Sequence, residues 1–297
     1  MIVSQKIAQL TLSKFVELYA HHSISTDFFI TEERSLLTLS EYPYRSGGYI
    51  IGICTSGTAQ VEVNLHTYPA QPGALLMATP FHILRIHSAS ADFLCRFLVF
   101  SKDFLAEQTG NSHFVESFNF FRTTAVPVIY NDATGGGLIL QVLDFIEQTL
   151  LNDNNNYRVQ TCRSILTTML YIIADLYEKH HVITQGRQSR KQELSAIFRN
   201  LVFQHYREQR TVHFYSELLF VTSKHLTETV KEVTGKTAGE WIDDAIILEA
   251  KVILRNSSVS VAEVANSLHF PDQSSFGKFF KKHTGYSPSQ FRVVAAQ

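Results

Sequence analysis

Two stretches fifty residues apart constrain this chain more than anything else in it. One is TSKHLTETVKEVTG, residues 222–235; the other is FPDQSSFGKFFKKHTG, residues 270–285. At an offset of 50, Leu226 falls on Phe276, Val230 on Phe280, Lys231 on Lys281, Thr234 on Thr284 and Gly235 on Gly285. At about 100° per residue, Phe276, Phe279, Phe280 and His283 share one side of a helix. Ser274, Gly277, Lys278 and Lys281 share the other. Such a helix buries its aromatic stripe and presents a small, polar and basic face. Each copy opens on a good N-cap residue, Thr222 or Asp272. Each closes on a glycine suited to the left-handed position after a helix.

A shorter helix precedes each copy: HFYSELLF (213–220) and SVAEVANSL (260–268), where Ser260 and Glu263 have capping-box spacing. Ser216 and Leu219 match Ala265 and Leu268 at an offset of 49, so the second turn is one residue longer. A small residue in the first helix, a short turn and a polar-faced second helix make the helix-turn-helix pattern. Any helical hairpin can imitate one copy; two in register are much harder to imitate. Between them runs TAGEWIDDAIILEAKVILRN (237–256), with Trp241, Ile242, Ala245, Leu248, Val252 and Ile253 as its buried stripe. That helix spans roughly 25–30 Å. Successive major-groove faces of B-DNA lie ~34 Å apart, so a rigid helix of this length can set two recognition helices in adjacent grooves.

A length of 297 residues suggests two domains, and 45% hydrophobic residues are ample for their cores. The net charge is only -1, but it is unevenly spread. Residues 1–185 hold 11 Lys+Arg against 16 Asp+Glu, and residues 186–297 hold 15 against 11. The C-terminal third is the part with a reason to meet an anion. Cys54, Cys95 and Cys162 are far apart, odd in number and free of any CxxC, and read as reduced thiols. The start, MIVSQKIAQL, lacks the apolar stretch of a signal peptide. No apolar run approaches the roughly 18 residues of a membrane helix. The expectation is a soluble, cytoplasmic protein without a membrane partner.

Residues 27–100 read as β. Apolar or alternating runs recur at 28–30, 36–39, 49–54, 59–63, 74–78, 83–86 and 93–100. Gly47-Gly48, Ser56-Gly57, Pro69, Pro72-Gly73 and Pro80 punctuate them. Short, near-regular strands suggest a small antiparallel sandwich or barrel. Two helices follow. Leu138, Val142, Leu143, Ile146 and Leu150 form one stripe; Ile165, Leu166, Met169, Leu170, Ile173 and Leu176 form the other. The polar run 152–156 joins them as an antiparallel hairpin. Its faces can pack on the sheet, and helices 137–151 and 157–180 can also serve a homodimer. The polar, basic run 181–192 marks a boundary. The expected parts are 1–183, a linker at 184–190 and 191–297, with helix-turn-helix units at about 213–235 and 260–285 joined by helix 238–256.

The run VAEVANSLHFPDQSSFGKFFKKHTGYSPSQFR, residues 261–292, resembles the signature of the AraC family of bacterial transcriptional regulators. It carries Ala265, the aromatic Phe270, Phe280-Lys281, Gly285, Ser287-Pro288 and Phe291-Arg292. The match continues with lower fidelity back to about residue 190. It departs at His269, where the family often has Gly, and at Ile246, where it often has Arg. The order of strands then helical hairpin is similar to the family's cupin-like effector and dimerisation domain. The resemblance implies a two-domain α+β chain: an N-terminal cupin-like antiparallel β-barrel with a helical hairpin, then an all-α domain with two helix-turn-helix units. It also implies double-stranded promoter DNA as a partner, a small-molecule effector, and RNA polymerase if the protein activates. No cofactor or metal is implied.

On this reading the outer faces of 223–231 and 273–281 meet DNA. The candidates are Ser223, Lys224, Thr227, Glu228, Lys231, Gln273, Ser274, Ser275, Gly277, Lys278 and Lys281. Gln273 can read adenine, and Lys278 can read guanine or hold a phosphate. Ser274 and Ser275 suit phosphate near a helix N-terminus. Gly277 removes bulk where backbone approaches DNA. Glu228 repels phosphate but can accept from cytosine N4. Arg85 and Arg96 lie in apolar strands suited to an anionic effector, with His82 as a further candidate contact. His66, His82 and His87 lack metal-ligand spacing, and no nucleophile elbow, phosphate loop or zinc motif occurs, which argues against an enzyme. The alternatives are an effector-independent regulator whose N-terminal domain only dimerises, and a cupin-like binding protein or enzyme with a helical interaction tail.

Overall fold

The computed structural model describes residues 22–25, 27–32, 42–122, 125–130, 133–152, 154–185, 189–255 and 259–295. The chain divides into two compact units at residues 186–187. The expected linker lies partly outside the described residues, as does the expected strand at 36–39.

The N-terminal unit is built on two antiparallel sheets. Its strands are β1 (His22–Ser25), β2 (Phe28–Glu32), β3 (Tyr49–Ser56), β4 (Ala59–Val63), β5 (His66–Ala70), β6 (Ala74–Ala78), β7 (Leu84–Ala89), β8 (Leu94–Phe100) and β9 (Val128–Tyr130). The larger sheet has the order β1-β2-β8-β3-β6-β9, and the smaller β5-β4-β7. Among the described residues the strands do not close into one barrel. The chain leaves the large sheet after Ser56 and enters the small one at Ala59, turning at Gly57. Gly57 has φ +65°, and a Cβ there would lie 2.5 Å from the Phe93 backbone. Only glycine fits that corner. The expected break at Pro69 is instead a strand residue. It sits in β5, an edge strand of the small sheet, where a missing N–H breaks no inner ladder.

Period-two alternation gives the large sheet two faces. Ile51, Ile53, Leu75, Met77, Leu98 and Phe100 join one core with the helices. These are α1 (Lys102–Thr109), α2 (Ala133–Leu151) and α3 (Arg158–Gln185). From α2 come Ile139, Leu143, Ile146 and Leu150, and from α3 Leu166, Met169, Leu170 and Ile173. Leu143, Ile146 and Leu150 thus lie on the expected stripe, but Ile139 takes the place expected for Leu138, and Leu138 and Phe145 are 43% and 56% exposed. No helix among the described residues is long and apolar enough to cross a membrane.

The C-terminal unit holds α4 (Arg190–His205), α5 (Val212–Leu218), α6 (Ser223–Thr234), α7 (Ala238–Leu254), α8 (Val261–Ser267), α9 (Gln273–Thr284) and α10 (Pro288–Val294). Helix α7 is buried nearly all round, on Trp241, Ile242, Ala245, Ile246, Leu248, Glu249 and Val252 among others, rather than along one stripe. The cause is its central place: α4, α6, α8, α9 and α10 all pack on it. Ile246 is part of that core. The repeat also runs further than the two helical hairpins. Thr237 caps α7 in a capping box with Glu240, and Ser287 caps α10 in a capping box with Gln290, again at an offset of 50. Trp241 and Phe291 then occupy equivalent buried positions.

Candidate nucleic-acid interface

Helices α6 and α9 are held by identical local chemistry. The Thr222 side chain accepts from the His225 N–H, and the Asp272 carboxylate accepts from the Ser275 N–H. Those bonds hold the exposed Asp272 carboxyl below the usual carboxylate range. Both helices end on a left-handed glycine, Gly235 at φ 79° and Gly285 at φ 80°. The turns before them are also alike: Phe220 and His269 both sit at φ 53°. This is the strained region that glycine would occupy without cost.

The inner faces are Leu226, Thr229 and Val230 on α6 and Phe276 and Phe280 on α9. The outer face of α9 carries Gln273, Ser274, Lys278 and Lys281, all exposed. Neither lysine forms a hydrogen bond or ion pair among the described residues. Ser275 is committed to the cap, since its hydroxyl donates to Asp272 Oδ2 at 3.1 Å. On α6, Lys224, Glu228 and Lys231 are exposed and Thr227 half-buried. Lys224 Nζ lies 4.0 Å from Glu228 Oε1, so part of the glutamate's charge is matched on its own face. Ser223 faces inward, its hydroxyl 2.9 Å from that of Ser216. The structure thus gathers most of the candidates on two outward faces and turns Ser223 and Ser275 to structural work.

Gly277 is the most telling position. A Cβ added there would meet no atom within 4 Å. Nothing inside the protein requires glycine, yet mid-helix glycine costs ~1 kcal/mol relative to alanine.

Two links that the spacing of residues does not reveal tie the second helix-turn-helix to the rest of the unit. The Arg210 guanidinium, ahead of α5, stacks on the Phe270 ring of the second turn at 3.9 Å. Asp243 of α7 lies 3.6 Å from His283 of α9. Burial holds the Asp243 carboxyl above its usual range despite nearby cations.

The three effector candidates of the N-terminal unit do not come together. A cavity of about 40 Å³ lies between the two sheets. Arg85 lines it, with Gly52, Cys54, Val61, Cys95 and Phe97. Its Nε is buried without a hydrogen-bond partner. Arg96 lies on the opposite face of the large sheet, because side chains alternate along β8. There it pairs with Asp144 and Glu147 of α2. His82 is buried in the 79–82 loop, where its Nδ1 accepts from the Thr79 N–H at 3.2 Å, and it does not line the cavity. About 10–15 Å³ holds one water, so an organic ligand has to displace side chains. Gly52 leaves room for the Phe97 ring in the cavity wall, since a Cβ there would come within 2.7 Å of it.

A family model described as a helix-turn-helix domain matches residues 215–293. The Msm operon regulatory protein of Streptococcus mutans is 28% identical over 94 residues, covering 32% of this chain and 34% of that protein. The arabinose operon regulatory protein of Salmonella typhimurium is 33% identical over 73 residues, covering 25% and 26%. The chain therefore spans about a third or less of these relatives' own length. Among solved structures, unsaturated fatty acid bound ToxT from Vibrio cholerae aligns with 91% of this chain and 96% of its own, at 12% identity and a TM-score of 0.39. The repeated caps, turns and two-faced helices lie within the matched residues, so the C-terminal unit of this chain carries a helix-turn-helix domain.

Proposed function

We propose that this protein is a sequence-specific, AraC-type transcriptional regulator that binds duplex DNA through the outer faces of α6 and α9. The observation that carries the reading is Gly277. Its missing side chain has no use inside the protein and leaves room for a close external partner. The basic, unpaired face around it selects an anionic one. The 17 residues of α7 span about 25 Å, and the Arg210 and Asp243 links hold the two readers at one separation.

The N-terminal unit is read as the cupin-like effector and dimerisation domain. Arg85 is its anion contact, and exposed Leu138 and Phe145, two turns apart on α2, support a homodimer face. RNA polymerase is the further partner if the protein activates.

The test starts from a duplex enriched by the protein from a randomised pool. Affinity should fall steeply and linearly on a log–log salt plot. Lys278→Ala should reduce the slope by about one if the lysine holds phosphate, or relax one base preference at a cost of ~1–3 kcal/mol if it reads a base. Gly277→Ala should raise thermal stability by ~0.5–1 kcal/mol while weakening binding. Binding that ignores salt, or a Gly277→Ala protein that binds as tightly as the parent, refutes the interface.

A further inference from the structure

Cys54 and Cys95 are 41 residues apart in sequence, but the strand register makes them direct partners. In the antiparallel pairing of β3 with β8, Cys54 stands opposite Cys95. Both are buried and both line the inter-sheet cavity. Directly opposite residues hold their Cβ atoms about 4.5–5.5 Å apart, and a disulfide needs roughly 3.5–4.5 Å. The closing movement is on the order of 1 Å. The ladder can give there, because the β3–β8 register slips between Cys54 and Ser56. Cys162 lies elsewhere, on the core-facing side of α3, and serves as an internal control.

The cavity decides which oxidant fits. About 40 Å³ admits a molecule the size of one or a few waters. Hydrogen peroxide fits; a glutathione-sized disulfide does not.

We propose that Cys54 and Cys95 form an oxidisable dithiol site that a small hydroperoxide converts to a cross-strand disulfide. One sulfur attacks a peroxide oxygen and the O–O bond breaks, giving a sulfenic acid and one water. The second sulfur displaces the hydroxyl from the sulfenic sulfur, giving the S–S bond and a second water. Two thiols and one hydrogen peroxide thus yield one disulfide and two waters. Burial sets the pace. The Cys54 S–H donates to the Ser56 carbonyl at 3.4 Å, and desolvation pushes its thiol up to about 11. Few thiolates are present at neutral pH, so the bond forms over minutes to hours rather than seconds. It joins β3 to β8 in the cavity wall, beside Gly52 and Phe97. The site is independent of the proposed DNA contacts, and either reading can fail without the other.

The test treats the reduced full-length protein with hydrogen peroxide, blocks remaining thiols by alkylation under denaturing conditions, and maps peptides without reduction. The expected product is a monomer lighter by two hydrogens, with a Cys54–Cys95 linked peptide, Cys162 alkylated, and full reversal by dithiothreitol. Cys54→Ala and Cys95→Ala should each abolish the linked peptide, whereas Cys162→Ala should leave its yield unchanged. Cys54→Ser and Cys95→Ser, closer in size to the parent residue, keep the test valid should either alanine variant fold poorly. Recovery of Cys54 and Cys95 as separate alkylated or over-oxidised residues, or linkage through Cys162, overturns the proposal.

Discussion

Phe280→Ala should cost the C-terminal unit about 3–5 kcal/mol and abolish DNA binding with it. Phe280 is fully buried and joins two helices. Its ring lies 5.7 Å from that of Phe276 in α9 and 5.5 Å from that of Phe291 in α10. Truncation removes a ring that neighbours on two elements contact, and a packed core refills such a hole only in part. A domain of this size is stable by about 5–15 kcal/mol, so the loss takes a large share. In urea the midpoint should fall with little change in slope. Lys281→Ala, one residue on but facing outward, should stay within about 0.5 kcal/mol of the parent. That variant should weaken DNA binding without weakening the fold. A loss under about 1 kcal/mol for Phe280→Ala would remove it as the anchor of α9.

This contrast of neighbouring residues was legible in the sequence because helix signals are local. Thr222, Asp272, Gly235 and Gly285 act within one turn of where they stand, and the apolar period names the inner face of α9 without reference to the rest of the chain. Helix α7 was less legible. Its single stripe hid that it lies at the centre of five others, a property of the assembly. The β unit was less legible still. Arg85 and Arg96 both sit in apolar strands, but alternation and pairing put one in the inter-sheet cavity and the other against α2. Sequence spacing cannot assign those sides, because register is set by partners dozens of residues away. Cys54 and Cys95 are the same case: far apart along the chain, yet opposite each other in the sheet. Pro69 misled for a related reason, since proline is tolerated at an edge and only topology says where the edges are.

The N-terminal unit should lose about 3 kcal/mol of stability between pH 6.5 and pH 4 on account of one residue, His82. Burial, with help from the nearby Arg45 guanidinium, pushes its imidazole down from the ordinary 6.5 to about 4. Protonating Nδ1 would also set an N–H against the Thr79 N–H that it now accepts. Above pH 6.5 the ring is neutral folded and unfolded, so titration contributes nothing. As pH falls through 6.5, the unfolded chain takes up a proton that the folded chain refuses, and unfolding gains about 1.4 kcal/mol per pH unit. Below about pH 4 both states are protonated and the effect levels off. Carboxylates titrate in part of the same window, so the comparison is with His82→Asn, whose side-chain carbonyl can accept from Thr79 without charging. Urea unfolding of both proteins at pH 7 and pH 4 isolates the residue. The parent should lose about 3 kcal/mol more than the variant across that span. Parallel losses in the two proteins would mean that His82 charges inside the fold, and that its pocket is open to water.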